Sequence, residues 1–290
     1  MAKLIYTKLD AEKTIAMLKS RRMIGVDKDG VLVDPAEVLY QNRLRGFKSA
    51  GLEFCYSSST NYMLGGVGEQ YNGGTRPIIA LIAFDRYFER HGNSTIDKEN
   101  AFRQLLVFPD ASAKLDDIIS KYMKPQDTET AKRIYWWDGG EFFNADNTAE
   151  YVKPYPGARE ALLGLVDIYR GNAAVITNMH SLRAVVRDLK ACGFSENELR
   201  KLIVIENARK PSTEGFDRAL GALNSRSGIE IVKRDIVYVG DSVIDLKTAK
   251  NAGAASVAVL SGMGRQEHLA KEKPDAIAQD ICKLHDALRD

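Results

Sequence analysis

The sequence predicts an α/β protein built on a parallel sheet, with a helical domain inserted into it. In the C-terminal half, short apolar runs alternate with amphipathic helical patterns, as a sheet covered on both faces requires. One further run of the same kind, "MIGV" at 23–26, stands more than a hundred residues upstream. The stretch between them carries helical patterns and almost no strand signal. The sheet is therefore assembled from both ends of the chain, with residues 1–35 and 151–290 in the α/β core and residues 36–150 in the insert.

Taken in order, "LDAEKTIAMLKS" reads as an extra helix ahead of the first strand. The strand "MIGV" then runs straight into Asp27, Lys28, Asp29 and Gly30. The insert opens with the helical patterns "AEVLYQNRLRGFKSAG" and "RPIIALIAFDRYFERHG". Two more follow, "DKENAFRQLLVF" with Asp97 as N-cap and "SAKLDDIISKYMK" with Ser112 in that role. A Gly-rich loop (57–77) lacks the Gly-Lys-Ser/Thr ending of a phosphate-binding loop, and a second loop (135–147) is aromatic and acidic. Trp136 and Trp137 in the latter read as packing residues before substrate contacts.

The chain returns to the core near "VKPYPGAREALLGL", where Pro156 and Gly157 mark a helix start. Four β-rich runs follow: "AAVIT" (173–177), "KLIVIE" (201–206), "DIVYVG" (235–240) and "ASVAVL" (255–260). The intervening helices show buried faces at spacings of three and four. One is Leu182, Val185, Val186 and Leu189, ending at Gly193, and another is Phe216, Ala219, Leu220 and Leu223. Ile277, Ile281, Leu284 and Leu288 make a last one.

Composition narrows the function classes. The 290 residues are 44% hydrophobic and 28% charged with a net charge of +2, so nothing electrostatic argues for nucleic acid. Cys55, Cys192 and Cys282 are widely spaced and odd in number, which fits reduced thiols. The start has no apolar signal core and no window suits a membrane span, so a cytoplasmic protein is expected.

The chemistry gathers at the strand ends, which in a doubly wound sheet converge on one crevice. Asp27 and Asp29 follow the first strand, Thr177 and Asn178 the second, Lys210 the third at the beginning of a helix, and Asp241 and Asp245 the fourth around another helix start. Alternation places Asp27 and Asp29 on one side and Lys28 on the other. Carboxylates so crowded repel, and an all-oxygen cluster suits Mg²⁺. A phosphoryl group then gives Lys210 and the turn amides their anion. One carboxylate can attack phosphorus, and a second, two residues on, can pass a proton to the leaving oxygen and take one from water.

The ordered set "DKDGV", "VITN", "RKPSTEGF" and "VGDSVID" resembles the haloacid dehalogenase superfamily of phosphohydrolases. "YPGAREALLGL" and "DLKTAKNAGAASVAVLSGMG" look like its phosphoglycolate-phosphatase-type branch. The resemblance covers residues 23–34 and about 154–280. It implies a Rossmann-like core with a helical cap that closes over the site, and a Mg²⁺-dependent phosphatase acting through an aspartyl-phosphate. The substrate would be a small phosphorylated metabolite, phosphoglycolate- or sugar-phosphate-like.

By that resemblance Asp27 is the nucleophile and Asp29 the general acid/base. The Asp27 and Asp241 carboxylates and the Asp29 main-chain carbonyl hold the metal. Thr177 and Asn178 bind phosphoryl oxygens, Lys210 neutralises them, and Asp245 orients Lys210 or a metal-bound water. The chain departs from the pattern at Thr213, where a second proline is usual, and at Lys28, where the residue is often apolar. A phosphomutase or phosphonate hydrolase would use the same nucleophile, and a silent binding or scaffold protein could retain the fold. Asp241 and Asp245 also suit helix capping, and His180 is either an exposed first-turn residue or a substrate contact.

Overall fold

The computed structural model describes residues 4–35, 37–38, 41, 146–228, 230–262 and 264–289. The chain divides into two units, Met1–Glu37 with Asn144–Asp290, and Val38–Phe143. The inserted helical patterns, the caps Asp97 and Ser112, loop 57–77, nearly all of loop 135–147, Cys55, Trp136 and Trp137 lie outside the described residues.

The first unit opens with β1 (Tyr6–Thr7) and α1 (Ala11–Ser20), whose N-cap Asp10 accepts from the Lys13 N–H. β2 (Met23–Val26) is buried at every position, so it is covered on both faces. β3 (Val33–Asp34) pairs antiparallel with β4 (Lys153–Pro154), at the points where the chain leaves and re-enters this unit. α2 (Ala158–Ile168) starts behind Gly157, as the Pro-Gly pair predicts. β5 (Ala173–Ile176), α3 (Leu182–Ala191), α4 (Glu196–Leu199), β6 (Ile203–Ile205) and α5 (Glu214–Ser227) follow. The chain ends with β7 (Ile236–Gly240), α6 (Val243–Ala252), β8 (Ala255–Val259), α7 (Gln266–Lys271), β9 (Ala276–Ala278) and α8 (Ile281–Arg289).

One sheet takes the order β1-β9-β8-β7-β2-β5-β6. Its strands from β9 to β6 run parallel, and β1 joins antiparallel at one edge with Tyr6 opposite Ile277. β2 lies inside, with Gly25 opposite Tyr238 of β7 and Val26 opposite Val175 of β5. The order builds outward from β2 in both directions, so the C-terminal end of β2 is the topological switch point. That is where Asp27 stands.

Packing fixes the same spot. Phe216, Ala219 and Leu223 of α5 are buried against Met23, Ile176, Ile205 and Tyr238. The Phe216 ring meets Tyr238 edge-on at 4.8 Å between centroids. Burial of each large apolar side chain contributes roughly 1.5–3 kcal/mol, which holds the Tyr238 ring across Gly25 of β2 with its hydroxyl at the end of β5. A second cluster of Val243, Leu246, Ala258, Leu269 and Ile277 ties α6 and α7 to β8 and β9.

Three local expectations change. Ile277, expected on the last helix, belongs to β9, and α8 begins at Ile281. A three-residue strand is too short to show alternation, and Ile277 has helical spacing to Ile281 by coincidence. Leu182, expected on a buried face, is exposed in the first turn of α3, while Val185 and Leu189 are buried. Lys210, expected at a helix start, precedes α5 by four residues. No helix among the described residues is long and apolar enough to cross a membrane.

Candidate active site

β2 ends at Val26, and the chain leaves the sheet through Asp27. The Asp27 N–H still donates to the Val239 carbonyl at 2.9 Å, so its backbone is held in line with β7. Its side chain is 11% exposed, with Oδ1 accepting from the Lys28 N–H at 2.7 Å and Oδ2 paired with Lys210 Nζ at 2.8 Å. Burial pushes the Asp27 carboxyl up to about 7; Lys210 opposes this, and Asp245 and Asp29 add to it.

Lys210 reaches this point from the loop between β6 and α5. The Asn178 side chain grips that loop, its Oδ1 accepting from the Lys210 N–H at 2.8 Å and its Nδ2 donating to the Lys210 carbonyl at 3.3 Å. Asn207 and Arg209 hold φ angles of 45° and 54°, a conformation that Asn tolerates and Arg rarely adopts. Bonds from the Asn207 N–H to the Met179 carbonyl and from the Ala208 N–H to the Thr177 carbonyl keep the loop there.

The Lys210 ammonium donates to Asp245 Oδ1 at 2.6 Å, Asp27 Oδ2 at 2.8 Å and Tyr238 Oη at 3.2 Å. Its three N–H bonds are thus matched by three acceptors. Burial works against its charge, but Asp245 and Asp27 outweigh burial and hold the ammonium well above its ordinary pKa. Tyr238 Oη in turn donates to the Ile176 carbonyl at 2.9 Å.

Asp245 sits on the first turn of α6 in a capping box with Ser242. Its Oδ2 accepts from the Ser242 hydroxyl at 2.6 Å, while Oδ1 takes Lys210. One carboxylate oxygen of Asp245 thus serves the cap and the other meets Lys210. Asp241 is 4% exposed in a recess built by glycines. A Cβ at Gly30, where φ is +80°, would fall 2.2 Å from Asp241 Cγ, and one at Gly262 would fall 2.0 Å from Oδ2. The recess walls are tied together: Ser261 Oγ donates to the Gly30 carbonyl at 2.7 Å, and Tyr155 Oη donates to the Ser261 carbonyl at 2.5 Å.

Asp27, Asp241 and Asp245 each bring a carboxylate oxygen within 4.8 Å of the others. Like charges about 4 Å apart repel by ~4 kcal/mol at an effective dielectric of 20, and one ammonium does not neutralise three carboxylates. A compact set of hard oxygen donors in a recess too narrow for a side chain fits a small divalent cation such as Mg²⁺.

Lys28 corrects an expectation. Its side chain does not leave the two aspartates: Nζ lies 2.7 Å from Asp29 Oδ1 and 2.8 Å from Asp188 Oδ2, with 1% of the residue exposed. Alternation applies only while the chain is extended in a strand, and β2 stops one residue before Asp27. Asp29 therefore takes its counter-charge from Lys28, whereas Asp27 takes Lys210.

Thr177 is buried with its Oγ1 accepting from the Met179 N–H at 3.2 Å. Neither Thr177 nor Asn178 caps α3; Ser181 does. His180 is exposed, as is Arg209, which pairs with Glu214 at 3.3 Å. Sequence reasoning missed Tyr238, Asp188 and the Gly262 wall. Tyr238 looks like any aromatic strand residue, and Asp188 like any polar position on an amphipathic helix. Gly262 was visible only as part of the "LSGMG" end of a family-like stretch.

The HAD-hydrolase-like family matches residues 207–284 of the chain. Pyrophosphatase PpaX of Listeria monocytogenes serotype 4a is 27% identical over 150 residues, covering 51% of this chain and 65% of that protein. The chain thus spans a little under two thirds of the length of that curated relative. A predicted phosphoglycolate phosphatase from Haemophilus somnus 129PT superposes with a TM-score of 0.58 at 20% identity, covering 91% of this chain and 96% of that one. A hydrolase from Pseudomonas syringae does so with a TM-score of 0.54 at 16% identity, covering 93% and 98%. At such identities the superpositions show a shared α/β fold.

Proposed function

We propose that the chain is a haloacid dehalogenase-like hydrolase and, within that family, a Mg²⁺-dependent phosphatase acting on a small phosphorylated metabolite. The observation that carries this reading is the placement of Asp27. It is a buried carboxylate at the switch point of the sheet, paired with Lys210 and grouped with Asp241 and Asp245. The relatives named for pyrophosphate and phosphoglycolate are consistent with a small anionic substrate. That the inserted residues 36–150 select the organic part of the ester rests on the sequence resemblance alone.

The reaction follows from these groups. An Asp27 oxygen attacks phosphorus, the bond from phosphorus to the ester oxygen breaks, and Asp29 gives its proton to the leaving oxygen. Water then attacks the phosphorus of the aspartyl-phosphate, losing a proton to Asp29, and phosphate leaves with Asp27 restored. Lys210 offers its ammonium to the phosphoryl oxygens, and Asp245 with Tyr238 keeps that ammonium in place. Thr177 and Asn178 supply neutral hydrogen bonds beside it, Asn178 also setting the Lys210 backbone. Asp27, Asp241 and the Asp29 carbonyl would hold the Mg²⁺, with Asp245 orienting Lys210 beside them. When bound, the ion supplies charge neutralisation at the phosphoryl oxygens.

The test is phosphate release from pyrophosphate, phosphoglycolate and sugar phosphates, with and without Mg²⁺. Turnover by the wild type that requires Mg²⁺ and is lost in Asp27→Asn is expected. Equal turnover by both proteins would remove Asp27 from the nucleophile role. Absence of both turnover and metal binding would favour a silent scaffold.

A further inference from the structure

We propose that Lys28 and Asp188 form a buried anchor that positions the Asp29 carboxylate for proton transfer to the leaving oxygen. The inference rests on the assignment of Asp29 as general acid/base and names residues outside that assignment. Its ground is a line of alternating charges crossing from α3 to the turn after β2. Arg187 donates to Asp188 Oδ1 through Nη2 at 2.7 Å and Nε at 3.0 Å. Lys28 Nζ donates to Asp188 Oδ2 at 2.8 Å and to Asp29 Oδ1 at 2.7 Å.

The members differ in burial in a way that gives the line a direction. The side chains of Lys28 and Asp188 are 1% and 2% exposed, whereas that of Asp29 is 38% exposed. The fixed end is in the core and the accessible end is the carboxylate beside the proposed nucleophile. Lys28 also holds the other aspartate, since its own N–H donates to Asp27 Oδ1 at 2.7 Å. One residue thus fixes the spacing of both carboxylates, through its backbone for one and its ammonium for the other. Stability alone is a poor reason for the arrangement, because a buried ion pair often gains nothing over apolar residues of the same volume. A lysine between two carboxylates two residues apart instead restricts the rotamers of the more exposed one, as a donor to a proton in flight requires.

Leaving-group dependence tests this. β-Glycerophosphate releases a poor leaving group that needs a proton, whereas p-nitrophenyl phosphate releases one that hardly does. Asp29→Asn sets the reference and should lose about 100-fold or more on β-glycerophosphate, with a far smaller loss on p-nitrophenyl phosphate. Lys28→Met and the double variant Lys28→Met/Asp188→Leu should show the same split, roughly 10-fold or more in kcat with little change in KM. Lys28→Arg should restore most of it. The double variant removes the two fully buried charges together, so it should melt above Lys28→Met, which leaves Asp188 buried without its lysine, although Arg187 loses its contact with Asp188.

Equal losses on the two esters, or no loss in the double variant where Asp29→Asn shows the split, would overturn the anchor alone. Absence of the split in Asp29→Asn itself would overturn the general-acid assignment and the anchor with it. A readout without turnover is the crystal structure of the double variant. A displaced Asp29 carboxylate is expected, and an unmoved one would overturn the anchor even if the wild type hydrolyses neither ester, an outcome that separately defeats the phosphatase reading.

Discussion

The roles proposed for Asp27 need its ionised form, yet its burial favours the proton. With the carboxyl raised from 3.8 to about 7, the folded protein keeps a proton that the unfolded chain has released across that window. Stability of the metal-free protein should therefore fall as pH rises from about 4 to 7, and the cost is complete above 7. Asp27→Asn removes this term. Without metal it should melt above the wild type at pH 8 and level with it near pH 4; parallel melting curves would contradict the shift. The proposed Mg²⁺ would have to displace that proton, so its calorimetric affinity should rise with pH up to about 7 and then level off. The recess beside it gives a second expectation. Gly30→Ala and Gly262→Ala each place a methyl within about 2 Å of the Asp241 carboxylate, so both should lose Mg²⁺ affinity, measured by calorimetry, while the far-UV spectrum is kept. That Asp27, Lys210 and Asp245 gather was legible from sequence, because each follows a strand and the C-terminal ends of parallel strands converge on one crevice. The course of Lys28 was not, since beyond Val26 no periodicity governs where a side chain goes.

At the scale of elements, the start of α6 shows how a local helix signal and the site share one residue. Ser242 caps the helix and holds Asp245 Oδ2, leaving Oδ1 for Lys210. Ser242→Ala should cost about 1 kcal/mol as a lost cap. It should also lower kcat, because Asp245 regains rotamer freedom and Lys210 loses a fixed acceptor. Thermal melts and turnover measured together check this, and a cap loss with unchanged kcat would separate the two roles. The interior strands were legible for a related reason. β2, β5 and β7 are buried on both faces, and such strands read as unbroken apolar runs. The pairs at the margins were not, because β1, β3 and β4 have two residues each and β9 has three. Two or three residues carry no pattern, and their pairing is decided by the tertiary fold.

Over the whole molecule, the N-terminal segment now has a physical role. β1 closes the sheet edge along β9, and α1 lies against α8, burying Leu18 completely. Tyr169, buried at the end of α2, donates its hydroxyl to the Leu18 carbonyl at 3.0 Å, linking this extra helix to the core. The site lies elsewhere, since β9, β8 and β7 separate β1 from β2. Removing residues 1–20 should therefore damage stability and leave the chemistry intact. The loss includes the burial of Leu18, for which Leu18→Ala alone should cost roughly 2–5 kcal/mol. It also exposes the unpaired N–H and C=O groups of β9, a template for strand addition from another chain. The truncated protein should melt lower and self-associate in light scattering as temperature rises, while at temperatures where it stays folded its Mg²⁺ affinity should match that of the full chain. Unchanged melting would mean that α1 and β1 add nothing to the core, and lost metal binding in a folded truncated protein would mean that the edge and the site are coupled through the sheet.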